Sequence, residues 1–152
     1  MPMHYVVKKE IGKKKRILQP LLPNLFFIYA TRETVNSIIK KKEDESSVLK
    51  FYLDKTKPLE GNGKHPPLII PFAAMTNFIK ATSTDSEHVR IVSAEQCHYK
   101  SGDIVKVIGG EFEGVIGKVA RVAGQQRVVV EISGLCLVAT AYIPTDFIKL
   151  VK

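Results

Sequence analysis

The feature that most constrains this chain is the way its last third is written, as short β-branched runs broken at close intervals by glycine. Runs at 104–108, 115–122, 127–132 and 135–141 are rich in valine and isoleucine, and Gly109-Gly110, Ala123-Gly124-Gln125 and Ser133-Gly134 separate them. Such residues suit a pleated, half-buried surface, and glycine supplies the reversed backbone that a tight return needs. Strands this short and this evenly spaced predict a small closed or nearly closed β-barrel.

The preceding residues mix the two kinds of regular structure. Residues 5–18 read as two β-prone stretches around Ile11-Gly12-Lys13, a hairpin in which Gly12 takes the positive φ. Residues 25–30 form a compact apolar and aromatic run suited to a buried strand. Thr31 then fits a helix cap, Val35, Ile38 and Ile39 fall at i, i+3 and i+4, and Lys40, Lys41 and Lys42 follow where cations favour a helix end; the pattern predicts a helix over 32–42. A polar connection at 43–47, a strand at 48–53 and an exposed loop at 54–67 come next. Pro71 is placed as the first residue of a second helix over 71–81, with Phe72, Met75, Phe78 and Ile79 facing inward. A polar connection at 82–87, a strand at 88–92 and a linker at 93–100 complete the reading. The expected organisation is therefore an α+β module over 1–92, a linker over 93–100 and an all-β module over 101–152.

Charge bears on partners. The 152 residues carry a formal net charge of +8, which favours polyanions through counterion release. Residues 1–98 hold 16 basic and 10 acidic side chains (+6), whereas the remainder holds 7 and 5 (+2). Lys8, Lys9, Lys13, Lys14, Lys15 and Arg16 supply much of the excess, with only Glu10 among them. Lys13, Lys14, Lys15 and Arg16 are accordingly the candidate nucleic-acid contacts, weighed against a merely solvated basic hairpin.

Chemistry finds little support. His4, His65, His88 and His98 are scattered, no nucleophile motif surrounds Cys97 or Cys136, and the two cysteines lack the spacing of a thiolate metal site. The stretch from Gly114 to Lys118 imitates a phosphate-binding loop, but Phe112 stands where that motif requires glycine and Val119 where it requires serine or threonine. No catalytic residue, metal or cofactor is expected. The first ten residues lack an apolar stretch of signal-peptide length, and no run approaches the roughly 20 apolar residues of a membrane span, so a cytoplasmic protein without membrane contact is expected.

Residues 101–119, SGDIVKVIGGEFEGVIGKV, closely resemble the KOW motif of NusG transcription factors and some ribosomal proteins. In that motif Gly102, Gly109, Gly110, Gly114 and Gly117 serve turns and close backbone approach. Upstream, residues 21–28, LLPNLFFI, resemble the strand signature of the NusG N-terminal domain, with Asn24 in place of the usual glycine. The helix, strand, proline-containing segment at 66–71 and second helix that follow also keep that domain's order. Residues 127–132 and 135–144, with ATAYIP at 139–144, look like the UpxY branch, NusG paralogues associated with capsular polysaccharide operons.

The resemblance implies an NGN-type antiparallel sheet with helices followed by an SH3-like KOW barrel. It implies a regulator of transcription elongation and antitermination rather than an enzyme. The N-terminal domain would bind the clamp helices of RNA polymerase through Leu21, Leu22, Pro23, Leu25 and Phe26. The KOW domain would hold a partner such as a ribosomal protein or Rho through Ile108 and Phe112. Each of these apolar residues also has a plain reading as core. Family members begin with a strand and helix that precede the hairpin seen here, so an uncovered sheet edge and a homodimer through the shortened domain are expected. Two alternatives stand beside this reading: an RNA-binding or ribosome-associated KOW protein gripping phosphates, and a remnant or competitor that no longer docks.

Overall fold

The structure, a computed structural model, describes residues 3–10, 12–41, 49–84 and 86–151. Its contacts gather into two compact units, one of the described residues of Asn24–Ile69 and one of those of Pro2–Pro23 and Ile70–Lys152. The chain is α+β, with two α-helices and a large antiparallel sheet among the described residues.

The hairpin is longer than the sequence suggests. Strands β1 (Met3–Glu10) and β2 (Lys13–Pro20) pair antiparallel from Met3↔Pro20 to Glu10↔Lys13. That register leaves two residues for the return, and Gly12 makes it at φ +77°, a conformation an L side chain resists. Ile11, the other residue of the turn, lies outside the described residues.

In the unit of Asn24–Ile69, Asn24 takes φ +59°, the left-handed region that asparagine tolerates. The strand expected at 25–30 is not formed: half-buried Leu25 and Phe27 alternate with exposed Phe26 and Ile28, but without a strand ladder. β-propensity reports fitness for a pleated, half-covered surface, and that surface pattern is present in a segment that is not regular strand. Helix α1 (Arg32–Lys41) begins as its sequence dictates, the Thr34 N–H donating to Thr31 Oγ1 at 3.3 Å. Lys42, the polar stretch 43–47 and Val48 lie outside the described residues. The strand expected at 48–53 reduces, over its described part, to one bridge between Leu53 and Pro67. Beside it the Asp54 N–H donates to Pro66 O and the Leu68 N–H to Tyr52 O, both at 2.8 Å, closing the loop between. Asp54 is buried at its base and accepts from the Thr56 N–H (3.1 Å) and hydroxyl (2.5 Å), while Lys57 Nζ stands 3.6 Å away. Those contacts, the Thr56 hydroxyl foremost, hold the Asp54 carboxyl below the ordinary carboxylate range.

The larger unit is built on a six-stranded sheet. Its strands are β3 (Arg90–Val92), β4 (His98–Val107), β5 (Ile116–Val122), β6 (Gln125–Ile132), β7 (Cys136–Tyr142) and β8 (Ile148–Leu150), arranged β3-β7-β6-β5-β4-β8 with antiparallel neighbours. Residues 93–100, expected as a linker, carry a short 3-10 helix (Ala94–Gln96) and the first residues of β4. The expected strand at 88–92 survives as β3, and it pairs with β7 of the glycine-rich region. Four consecutive residues of β6, Arg127, Val128, Val129 and Val130, are buried, so the strand is covered on both faces.

Helix α2 (Phe72–Thr82) packs on β6 and β7. Pro71 is its cap rather than its first residue. The inward face is rotated from the one expected: Phe78, Ala81 and Thr82 are buried and Met75 half-buried, whereas Phe72 and Ile79 are exposed. Counting apolar residues favoured the aromatic and isoleucine positions, but small Ala81 and back-bonded Thr82, whose hydroxyl donates to Phe78 O at 2.9 Å, allow the closer approach. Asn77 fixes the helix to the sheet. Its carboxamide receives the Ile116 N–H at 2.7 Å and donates to the Ile116 carbonyl, acting as one more strand residue at the start of β5.

Gly117 shows how closely β5 and β6 lie. A Cβ there would stand 2.3 Å from Val129 O and 2.8 Å from Val128 Cγ1, so any side chain would force the strands apart. At Gly109 a Cβ would meet only the edge of the Phe147 ring, at 3.4 Å. Gly117→Ala is therefore expected to cost about 3 kcal/mol or more and Gly109→Ala about 1 kcal/mol or less in urea unfolding; equal midpoints for the two variants would contradict the packing described.

Candidate functional site

The two ends of β5 carry different surfaces. Before the strand runs the glycine loop, where Gly110 (φ +80°) and Gly114 (φ +84°) make the reversals and Gly109 and Gly110 face the Phe147 ring. Gly102 (φ +75°), expected in a turn, instead sits in an irregularity of β4, where the register with β5 shifts between Tyr99 and Ile104. The strand continues through it because the glycine absorbs the extra residues as a bulge.

Of the two candidate partner contacts on this loop, one is available. Ile108 is exposed, and its N–H donates to Phe147 O at 2.9 Å. Phe112 is only 3% exposed and belongs to the core. An aromatic within a glycine loop reads equally as contact or closure, and here the Val115 N–H returning to Phe112 O at 3.0 Å and the Gly114 N–H to Val107 O at 2.8 Å tuck the turn inward. Partly exposed Phe147 is the aromatic that accompanies Ile108 at the surface. Its only sequence signal was a position just past Pro144, outside the motif.

On the hairpin, Lys13, Lys14 and Lys15 are exposed, and Arg16 continues β2 opposite Val7. The register sets Lys14 opposite Lys9 and Lys15 opposite Lys8, with Glu10 opposite Lys13. Lys13, Lys14 and Lys15 thus make an exposed cationic run at the start of β2.

The apolar residues expected to face a polymerase are distributed between the two units. Leu21, Leu22 and Pro23 belong to the larger unit, and Leu25 and Phe26 to the other. Leu21 is 6% exposed and serves the core; Leu22 and Leu25 are half-buried, and Pro23 and Phe26 are exposed. The plain core reading therefore holds for Leu21, where the sequence could not separate it from its neighbour.

The far end of β5 carries a surface that the motifs did not indicate. Arg121, Gly124, Gln125, Gln126, Tyr142 and Thr145 line an open groove of about 440 Å³. Gln126 is held by its Nε2, which donates to Ile143 O at 3.0 Å and Thr145 Oγ1 at 3.3 Å. Behind Gln125 lies Arg127, 2% exposed. Its guanidinium donates to His88 O (2.8 Å), Thr140 O (2.6 Å) and Gln125 Oε1 (2.8 Å), and its Nε has no hydrogen-bond partner among the described residues. Burial and nearby Arg90 both weaken its hold on the proton. Exposed parity of Arg121 and Tyr142 on neighbouring hairpins was the signal available in the sequence.

Among the described residues no group of three or more His, Cys, Asp or Glu side chains could hold a metal ion, and no helix is long and apolar enough to cross a membrane. His65 Nδ1 lies 2.7 Å from Lys57 O, and the His88 carbonyl serves Arg127; neither arrangement positions a proton for transfer. No family model, curated protein or solved structure matches the chain.

Both thiols are free. Cys97 is buried in a cluster with Val92, Ala120, Val122, Val129 and Ala139, and burial pushes its thiol up. Burial pushes Cys136 up to about 11. Since the thiolate is the reactive form, both should react with a disulfide reagent at pH 8 at least tenfold more slowly in the native protein than in guanidinium; rapid native labelling of either would contradict that placement.

Proposed function

We propose that this chain is a NusG-type regulator of transcription elongation and antitermination, of the UpxY kind, working in the cytoplasm on RNA polymerase. In this reading the unit of Asn24–Ile69 belongs to an NGN-type module, and β4 to β8, extended by β3 through its pairing with β7, form an SH3-like KOW barrel. In the unit of Asn24–Ile69, exposed Phe26 and half-buried Leu25 supply apolar anchors for the polymerase clamp helices, where a helical partner needs few polar contacts. Ile108, with Phe147 beside it, serves a protein partner such as a ribosomal protein or Rho.

The observation that carries the proposal is the lysine hairpin, a two-stranded element on which Lys13, Lys14 and Lys15 are exposed in succession. A phosphate backbone would neutralise such a run and gain counterion release. The glycine pattern of residues 101–119 supports the family side of the reading: its two positive-φ turns at Gly110 and Gly114 and its close approach at Gly117 use the residues the KOW resemblance picks out.

Tagged protein is expected to retain RNA polymerase from a lysate of a bacterium carrying NusG paralogues, and Phe26→Glu should lower that capture at least tenfold. Retention of ribosomal particles instead would replace this function with the ribosome-associated one. Separately, replacing Lys13, Lys14, Lys15 and Arg16 with glutamine should flatten the salt dependence of elongation-complex binding by about 3 in log–log slope; an unaltered slope would remove the hairpin from the interface.

A further inference from the structure

The groove at the far end of β5 has no part in that function, and its chemistry is that of a ligand site. Arg121 pairs across the ladder with Gln126, and Arg127 with Tyr142, so Arg121 and Tyr142 stand on the two strands flanking β6. Two strand spacings put them about 10 Å apart. Tyr142 is 55% exposed, so its aromatic side chain is open to a ligand at the surface.

The remaining groups present donors. Gln125 commits Oε1 to Arg127, so its free amide hydrogens are what it can offer to the groove. Thr145 Oγ1 accepts from Gln126, which leaves its own hydrogen to donate. Behind them the Arg127 guanidinium is buried among carbonyl oxygens, and Arg90 bears on it. Asp146, beside Thr145, is exposed to solvent and offsets part of the positive charge. A cationic guanidinium, a set of outward donors and an exposed aromatic side chain within one nucleotide's reach suit a phosphodiester with its base.

We infer that the groove of Arg121, Gln125, Gln126, Tyr142 and Thr145 binds single-stranded nucleic acid. One base stacks on Tyr142 while Arg121 and the donors of Gln125 and Thr145 hold the adjoining phosphate. Sequence tolerance follows, because any base has a face to stack, and Gln126 Oε1 is left to accept from a base edge. The groove lies about 20 Å along β5 from the glycine loop, so a protein held at Ile108 and a strand held at Tyr142 do not compete. The inference does not depend on polymerase binding.

The test is fluorescence anisotropy of labelled decauridylate with the full chain in about 50 mM salt, using protein whose Lys13, Lys14, Lys15 and Arg16 are replaced by glutamine so that the hairpin does not mask the groove. Saturable residual binding is expected. Tyr142→Ala and Arg121→Ala should each weaken it at least fivefold, and Tyr142→Phe should leave it within twofold. Both side chains are exposed, so equal thermal melts are expected for the variants. On unsubstituted protein, decauridylate should shift the backbone amide resonances of Arg121, Gly124, Gln125 and Gln126. The proposal is overturned if residual binding is absent, if Tyr142→Ala leaves it within twofold, or if those amides do not move. It is likewise overturned if oligoglutamate or inorganic polyphosphate displaces the probe as well as unlabelled decauridylate does, since the groove would then take acidic peptides or polyanions at large.

Discussion

The buried guanidinium of Arg127 is the interaction on which the larger unit depends. From the middle strand region it reaches the carbonyl of His88 ahead of β3, the carbonyl of Thr140 in β7 and the side chain of Gln125 in the β5–β6 turn. One side chain thus ties the segment leading into β3 to the glycine-punctuated sheet. Desolvating such a charge costs several kcal/mol and leaves little net gain even with good partners, but truncating it would take that donor from the buried Thr140 carbonyl. The Thr140 hydroxyl completes the arrangement, taking the Val128 N–H at 3.0 Å and donating to Ala141 O at 2.8 Å. Around this polar centre the valines of β6 fill both faces, and Asn77 brings α2 onto the same sheet.

What the sequence made legible was local. The glycine turns at 109–110, 123–124 and 133–134, the hairpin about Gly12 and the Thr31 cap depend on residues within a few positions, and the reading located each. What it missed was set at a distance. The residues 93–100 look like a linker because Ser93, Ala94 and Glu95 are polar or small, yet Ser93 and Gln96 form a capping box, with the Ser93 N–H donating to Gln96 Oε1 at 2.9 Å, that feeds the chain into β4. Strand β3 is only three residues long, and its pairing with β7 joins residues nearly fifty positions apart. The face of α2 turned on Ala81 and Thr82, which carry no strong apolar signal.

The candidate sites divide in the same way. Exposed cations at Lys13, Lys14 and Lys15 could be read from charge alone, because nothing nearby in sequence could bury three lysines. Leu21 against Leu22, and Ile108 against Phe112, could not be separated: each pair is apolar, and only tertiary packing decides which member faces water. The groove of Arg121 and Tyr142 was legible only as outward positions on strands, because its residues come from three strands, a turn and a 3-10 helix and match no motif. As proposed, the chain works through surfaces: a cationic hairpin tip, exposed Ile108 and Phe147, and, separately, a donor-lined groove.

The central claim is that the cationic hairpin and the exposed apolar residues act on a transcribing polymerase. It is tested most directly by single-round transcription over a long pause-containing template with the purified protein at saturation. The account predicts shorter pauses and more full-length RNA, an effect lost on glutamine replacement of the hairpin cations. Pause lifetimes and run-off yield identical with and without the protein would contradict it.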